Sequence, residues 1–279
     1  MSIQQKNISG VFSSVSLDTT LLFSNNSIEV KKNPIETYKL MIEHYLKTAN
    51  HLYINDILPL ETQPINLFRK EISLNLIILG VVSAVETYCR SIITKILLLD
   101  NHLKQKAWES KVCYAAAITH KKNLLPEALL EEATFISYEN ISKTISANLP
   151  FSLSTSNINL KDLGKEFDKI CHLRNCIVHR SSKLGSKNAI KLGFDLHKEA
   201  LEKPIVIDYT MLQDMTTICD NFVYALNNEL FHQVLHNIKN RNISTPLSKI
   251  EFKKYFNTFS GGQVSLNDMY QNHYLIYFT

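Results

Sequence analysis

Residues 68–99 read FRKEISLNLIILGVVSAVETYCRSIITKILLL, and their spacing decides the fold. Leu74, Ile78, Val81, Val85, Tyr88, Ile92, Ile96 and Leu99 recur at intervals of three and four, the repeat of one helix face rather than the alternation of a strand. The pattern predicts one long core helix. Its most apolar run, Leu74 to Val85, is twelve residues, includes Asn75 and Ser83, and is closed by Glu86 and Arg90. A membrane span needs about 18 or more apolar residues, so the expectation is burial in a protein core and no membrane partner.

Working outward, Ile35, Tyr38, Ile42, Tyr45, Ala49 and Leu52 predict a helix opened by Pro34 and separated from the core helix by Pro59 and Pro64. Further helices are predicted over 104–119, over 126–147 with Pro126 in its first turn, over 160–181 and over 210–238. Short strands are expected within Val11–Phe23, at Ala189–Phe194 and Pro204–Asp208, and at Tyr274–Phe278. The expected fold is mainly α. Segments 68–99, 126–147, 160–181 and 210–238 would form a four-helix core, with extra helices and small β elements in the N-terminal, loop and C-terminal segments. The domain reading is an N-terminal polar segment plus helix (1–66), a helical domain (67–240) and a C-terminal extension (241–279).

Composition narrows the function. Seven glycines, at 10, 80, 164, 185, 193, 261 and 262, spell neither a GxGxxG turn nor a P-loop, which excludes nucleotide cradles of those types. The net charge of +4 permits a polyanionic partner without requiring one. Five cysteines, an odd number set in apolar helical stretches with no signal peptide ahead of them, suit a reducing, cytoplasmic setting.

The third core helix closes on Cys171-His-Leu-Arg-Asn-Cys-Ile-Val-His-Arg180. With Leu160 as origin and about 100° per residue, the apolar stripe spans about 260° to 360° and Arg174 falls near 320°, inside it. A buried guanidinium costs several kcal/mol unless its donors are paired. Glu86, which interrupts the 68–99 helix, is the best candidate partner; a plain ion pair, or a packed stem with its head in water, accounts for the same position. Asn175 and His179 share the opposite face, near 60° and 100°, with His172 near 120°. A fixed cation, an amide and a group titrating near neutrality suit stabilisation of a pentacovalent phosphate and proton transfer without a metal.

Arg174-Asn175-Cys-Ile-Val-His179 resembles the R-x4-6-H motif, in its RNxxxH form, of the HEPN superfamily of helical ribonucleases and RNA-binding domains. The upstream Val81-Val-Ser-Ala-Val-Glu-Thr-Tyr88 is similar to that family's early core helix, where an acidic residue often supports the site. The resemblance covers roughly residues 68–240. It implies an antiparallel four-helix bundle and a metal-independent endoribonuclease needing no cofactor, plausible as a toxin or phage-defence effector that cuts tRNA or mRNA under the control of an antitoxin or regulatory protein. By this resemblance Arg174 binds the scissile phosphate, His179 serves as general base or acid, Asn175 orients the phosphate or His179, and Glu86 holds Arg174. It also implies a homodimer in which each protomer gives one Arg and one His, which answers the roughly 140° between Arg174 and His179 on one helix. The alternative is a non-catalytic module of the same family that binds RNA, a nucleotide or a partner protein. Ser181 stands where some toxins of the family carry a modified Tyr, which disfavours that control. Arg180, Lys183, Lys187 and Lys191 follow as candidate phosphate contacts, or as a solvated basic loop.

A zinc site from His172, Cys176 and His179, at i, i+4 and i+7, is the weaker reading, since Cys171 points elsewhere and a structural site wants four ligands. No metal is expected.

Overall fold

Stretch 68–99 lies inside one helix, Pro64–Leu99, in the computed structural model, which describes residues 16–23, 32–54, 64–153, 158–241 and 246–275. The helices of the described residues are α1 (Pro34–Ile54), α2 (Pro64–Leu99), α3 (Tyr114–Thr119), α4 (Leu125–Leu129), α5 (Tyr138–Asn148), α6 (Ile158–His179), α7 (Ser186–His197), α8 (Tyr209–Lys239), α9 (Lys249–Phe259) and α10 (Leu266–Asp268), the last continuing into a π-helical stretch, Met269–Tyr274. The chain is mainly α, as its periodicity predicts. It divides into two compact units, Met1–Lys31 and Lys32–Thr279. In the first, Asp18 caps a 3-10 turn, Thr19–Leu22, by accepting the Thr20 N–H.

Short polar side chains start several helices of the second unit. Asn33 and Glu36 cap α1 reciprocally, Asn33 Oδ1 accepting the Glu36 N–H at 3.0 Å and Glu36 Oε2 accepting the Asn33 N–H at 3.2 Å. Asp208 caps α8 through the Met211 N–H, and Ser248 with Glu251 forms a capping box on α9. The Asn33 amide also donates to the Asn257 and Ser260 carbonyls, tying the start of α1 to the end of α9.

Side-chain partners give the helix directions. Tyr38 packs on Tyr88 and Tyr45 on Gly80, so α1 and α2 are antiparallel. A Cβ at position 80 would lie 2.7 Å from the Tyr45 ring, so the two helices approach this closely because residue 80 has no side chain. Asn75 reaches Ser182 while Glu86 lies opposite Arg174, which sets α2 antiparallel to α6. Phe167 of α6 stacks on Phe222 of α8 at 4.7 Å. Tyr88–Asn227 and Asp100–Arg241 contacts run α8 parallel to α2. Leu74, Val85, Ile93, Leu160, Phe167, Phe222 and Leu226 are fully buried in the shared core.

Several expectations are corrected. The fourth long helix against α2 is α1, which shares one core with α2, α6 and α8, as does α9. The helix expected over 126–147 is two, α4 and α5, parted by a turn in which Arg90 donates to the Leu130 and Ala133 carbonyls. The helix expected over 104–119 is a 3-10 turn, Gln105–Glu109, followed by α3. Ala189–Phe194 is helical, within α7, because Ala189 and Leu192, three apart, pack together on a small core. Pro204–Asp208 is extended but forms only one antiparallel bridge, Pro204 with Lys183. Of the first expected strand, residues 11–15 lie outside the described residues and Thr19–Leu22 is helical. Of the last, Tyr274 belongs to the π-helical stretch and residues 276–278 lie outside the described residues.

Candidate functional site

Helix α6 ends at His179, and the chain reverses through Ser181 and Ser182, both in the left-handed region at φ 49° and 63°. The Arg180 and Ser182 N–H groups both donate to the Cys176 carbonyl, at 3.0 and 3.1 Å. From α2, the buried Asn75 amide donates to Ser182 Oγ at 2.9 Å. The polar residue that interrupts the most apolar run thus fastens the turn that follows the motif. On its other side the turn pairs with the segment after α7: Leu184 N–H with the Lys203 carbonyl at 3.1 Å, Ile205 N–H with the Ser182 carbonyl at 2.7 Å. Beneath it Cys176, Leu184 and Ala189 form their own buried cluster. These ties set the first turn of α7 beside the last turn of α6.

Between the two lies a cleft of about 440 Å³, walled by Asn175 and His179 on one side, Arg180 in the turn, and Gly185 to Asn188 on the other. Asn175, His179, Arg180 and Lys187 are thereby brought together, His179 exposed at the helix end. No side chain caps α7, so the free amides and positive dipole end of its first turn belong to the same wall, an arrangement suited to an anion. Gly185, Ser186 and Asn188 escaped the sequence reading because Ala189–Phe194 looked like a strand. The signal for them was the Ala189/Leu192 spacing together with a glycine at the helix start.

The remaining candidates lie outside the cleft. Arg174 is half-buried, and its one hydrogen bond among the described residues runs from Nη1 to Asn175 Oδ1 at 3.3 Å. Asn175 therefore joins the arginine to the cleft wall. Glu86 is half-buried and forms no ion pair with Arg174; its Oε1 is buried without a hydrogen-bond partner. Burial pushes its carboxyl above the usual range, and the charges of Arg174 and Arg90 pull it part of the way back. The expected grip of Glu86 on Arg174 is thus electrostatic proximity rather than contact. Arg90 itself is held by the Leu130 and Ala133 carbonyls and the Phe135 ring, 5.3 Å away.

Lys183 is exposed beside its bridge to Pro204, outside the cleft walls. Lys191 sits near Glu139 and Asp168, whose carboxyls feel its charge. Arg180 is ion-paired with Glu202, both exposed. Such a pair is worth about 0–1 kcal/mol, so a phosphate can displace the carboxylate.

The zinc reading finds its ligands dispersed. Cys176 is buried against Leu184 and Ala189 whereas His179 is exposed, and burial pushes the Cys171 thiol far above its usual range. His172 Nδ1 is buried without a partner. Among the described residues no group of three or more His, Cys, Asp or Glu is placed to hold a metal. Residues Ile72–Leu99 of α2 are long and apolar enough to cross a membrane by composition, but their apolar face is packed in the core. No family model, curated protein or solved structure matches the chain.

Proposed function

We propose that the protein is a metal-independent endoribonuclease of the HEPN type that works as a homodimer and holds RNA across the α6–α7 cleft. Beside the RNxxxH resemblance, one observation carries the reading: the turn after the motif gathers Asn175, His179, Lys187 and an uncapped helix N-terminus around one cleft, with Arg174, which forms no ion pair among the described residues, hydrogen-bonded to its wall.

In this reading a backbone phosphate lies against the α7 amides and Lys187. One His179 takes the proton of the 2′-OH, and the 2′-oxygen attacks phosphorus. The bond to the 5′-oxygen breaks, leaving a 2′,3′-cyclic phosphate, and His179 of the partner subunit protonates the departing 5′-oxygen. Arg174 offsets the charge that builds on the phosphorane oxygens. Arg174 and His179 leave one helix in different directions, which is why the reading requires two copies.

The test uses 5′-labelled tRNA and mRNA with purified protein in EDTA. Fragments ending in 2′,3′-cyclic phosphate are expected, and His179→Ala should slow their appearance about 10²–10⁴-fold with helicity unchanged. Uncut RNA, or equal cutting by the variant, overturns the proposal. RNA retained on the protein but never cut would instead support a non-catalytic binding module, which the separation of Arg174 from His179 within one chain favours.

A further inference from the structure

A second pocket lies where α8 and α9 meet. Its floor is aromatic: Phe231, Phe256 and Phe259 are buried, with the Phe231 and Phe259 rings 5.4 Å apart. None of the side chains that line it is charged. Lys39 stands at its edge, but its Nζ donates to the Gly261 carbonyl at 2.9 Å and lies 5.6 Å from the centre of the Tyr224 ring, so its charge is already engaged there. The three lining amides differ sharply. Asn227 is engaged at both ends, donating to the Phe259 carbonyl at 3.0 Å and accepting the Tyr88 hydroxyl at 3.1 Å. Asn228 and Gln263 are exposed and have no hydrogen-bond partner among the described residues.

The volume is about 230 Å³. An apolar cavity of about 150 Å³ takes benzene, whereas drug-sized ligands occupy about 300–1,000 Å³, so this pocket suits one or two fused rings. An aromatic floor favours a flat ligand, the absence of charge a neutral one. Each free amide offers one acceptor and one donor group, the complement of a ring edge that carries both.

We infer that this pocket binds an uncharged planar heterocycle with a mixed donor and acceptor edge, of the nucleobase class, its ring on the phenylalanine floor and its edge on Asn228 and Gln263. The site is distinct from the cleft. Asn75 touches the turn that closes the cleft and Tyr88 touches Asn227 of the pocket, and the two stand thirteen positions apart on α2, about 20 Å along the helix axis. The inference does not depend on the ribonuclease reading.

Saturation-transfer NMR and calorimetry on the full chain test it, with adenine as probe and indole, which has no acceptor edge, as control. Adenine should bind, and indole about tenfold more weakly, the worth of a hydrogen bond or two. Asn228→Trp, at an exposed position, should fill the pocket and abolish the signal; Gln263→Leu should weaken adenine about tenfold and leave indole unchanged. If Asn228→Trp loses its circular-dichroism spectrum, the exposed Val264→Trp takes its place. No transfer to adenine at millimolar concentration, transfer undiminished in the filled variant, or indole binding as tightly as adenine overturns the inference.

Discussion

Glu86 occupies an unusual position for a carboxylate: half-buried, within the field of two arginines, paired with neither, and with one oxygen buried and unsatisfied. Its raised pKa means the folded state binds its proton more tightly than the unfolded chain, where a Glu titrates near ~4.3. Above the folded pKa the ionised side chain therefore costs stability, and the cost fades as the pH falls towards the unfolded value. Glu86→Gln should raise the melting temperature at pH 7 by ~1–3 °C, a small figure because the half-exposed group is screened by water, and the gain should vanish near pH 4. Differential scanning fluorimetry across pH 4–8 checks this; a lower melting temperature at pH 7 would show that the field of Arg174 outweighs burial. Much of this residue-scale picture was legible. Helical phase put Arg174 among apolar neighbours, and it is half-buried; Glu86 was the acid that interrupts the apolar 68–99 helix, and it feels the arginine's charge. What phase cannot supply is the last few ångströms, which long side chains set by their rotamers, nor a partner such as Ser182, which lies 107 residues beyond Asn75.

Among the elements, α7 shows how a local pattern misleads. Ile190, Leu192 and Phe194 alternate as in a strand, yet Ile190 and Phe194 are exposed, and the residues that pack inward are the buried Ala189 and the partly buried Leu192, one helical turn apart. Six residues of amphipathic signal carry too little information to choose a period, and the choice is made by the Cys176–Leu184 surface against which they pack. The split between α4 and α5 has a similar origin. Ser137, which caps α5 through the Asn140 N–H, was a readable start signal, but the Arg90 contacts that hold the preceding turn come from α2. The long helices needed no such help, because α2 and α8 repeat their stripe over many turns. Within α7 the chain kinks at Gly193, at φ 107° and ψ 94°, a conformation essentially closed to residues with a Cβ. Gly193→Ala should cost about 1–3 kcal/mol. Urea titration should show a lowered midpoint with the slope unchanged. A loss below about 0.5 kcal/mol would mean that α7 straightens to accept the side chain.

At the scale of the molecule, the proposed chemistry needs a second copy, and the surface around the cleft is equipped for one. Leu76 and Ile72 of α2 are 62% and 45% exposed, and Val178 of α6 is 44% exposed. The Asn75–Ser182 hydrogen bond brings these segments of α2 and α6 together, so the three apolar side chains lie near the end of α6 that carries His179. A two-fold axis through this face would let Arg174 of one chain approach the cleft of the other, and each apolar residue would meet its own symmetry mate or a neighbour across the axis. Leu76→Glu tests the arrangement with little risk to folding, because the side chain it replaces is largely in water. A symmetric interface would place the new carboxylate and its mate in a desolvated contact, at a cost of several kcal/mol, enough to dissociate a standard-sized dimer. Light scattering coupled to gel filtration should give twice the 32.0 kDa chain mass for the wild type and the chain mass itself for Leu76→Glu, with helicity retained. RNA cleavage should disappear with the dimer. A variant that stays dimeric and active places the two-fold axis elsewhere, whereas one that becomes monomeric yet still cuts RNA shows that a single chain completes the site.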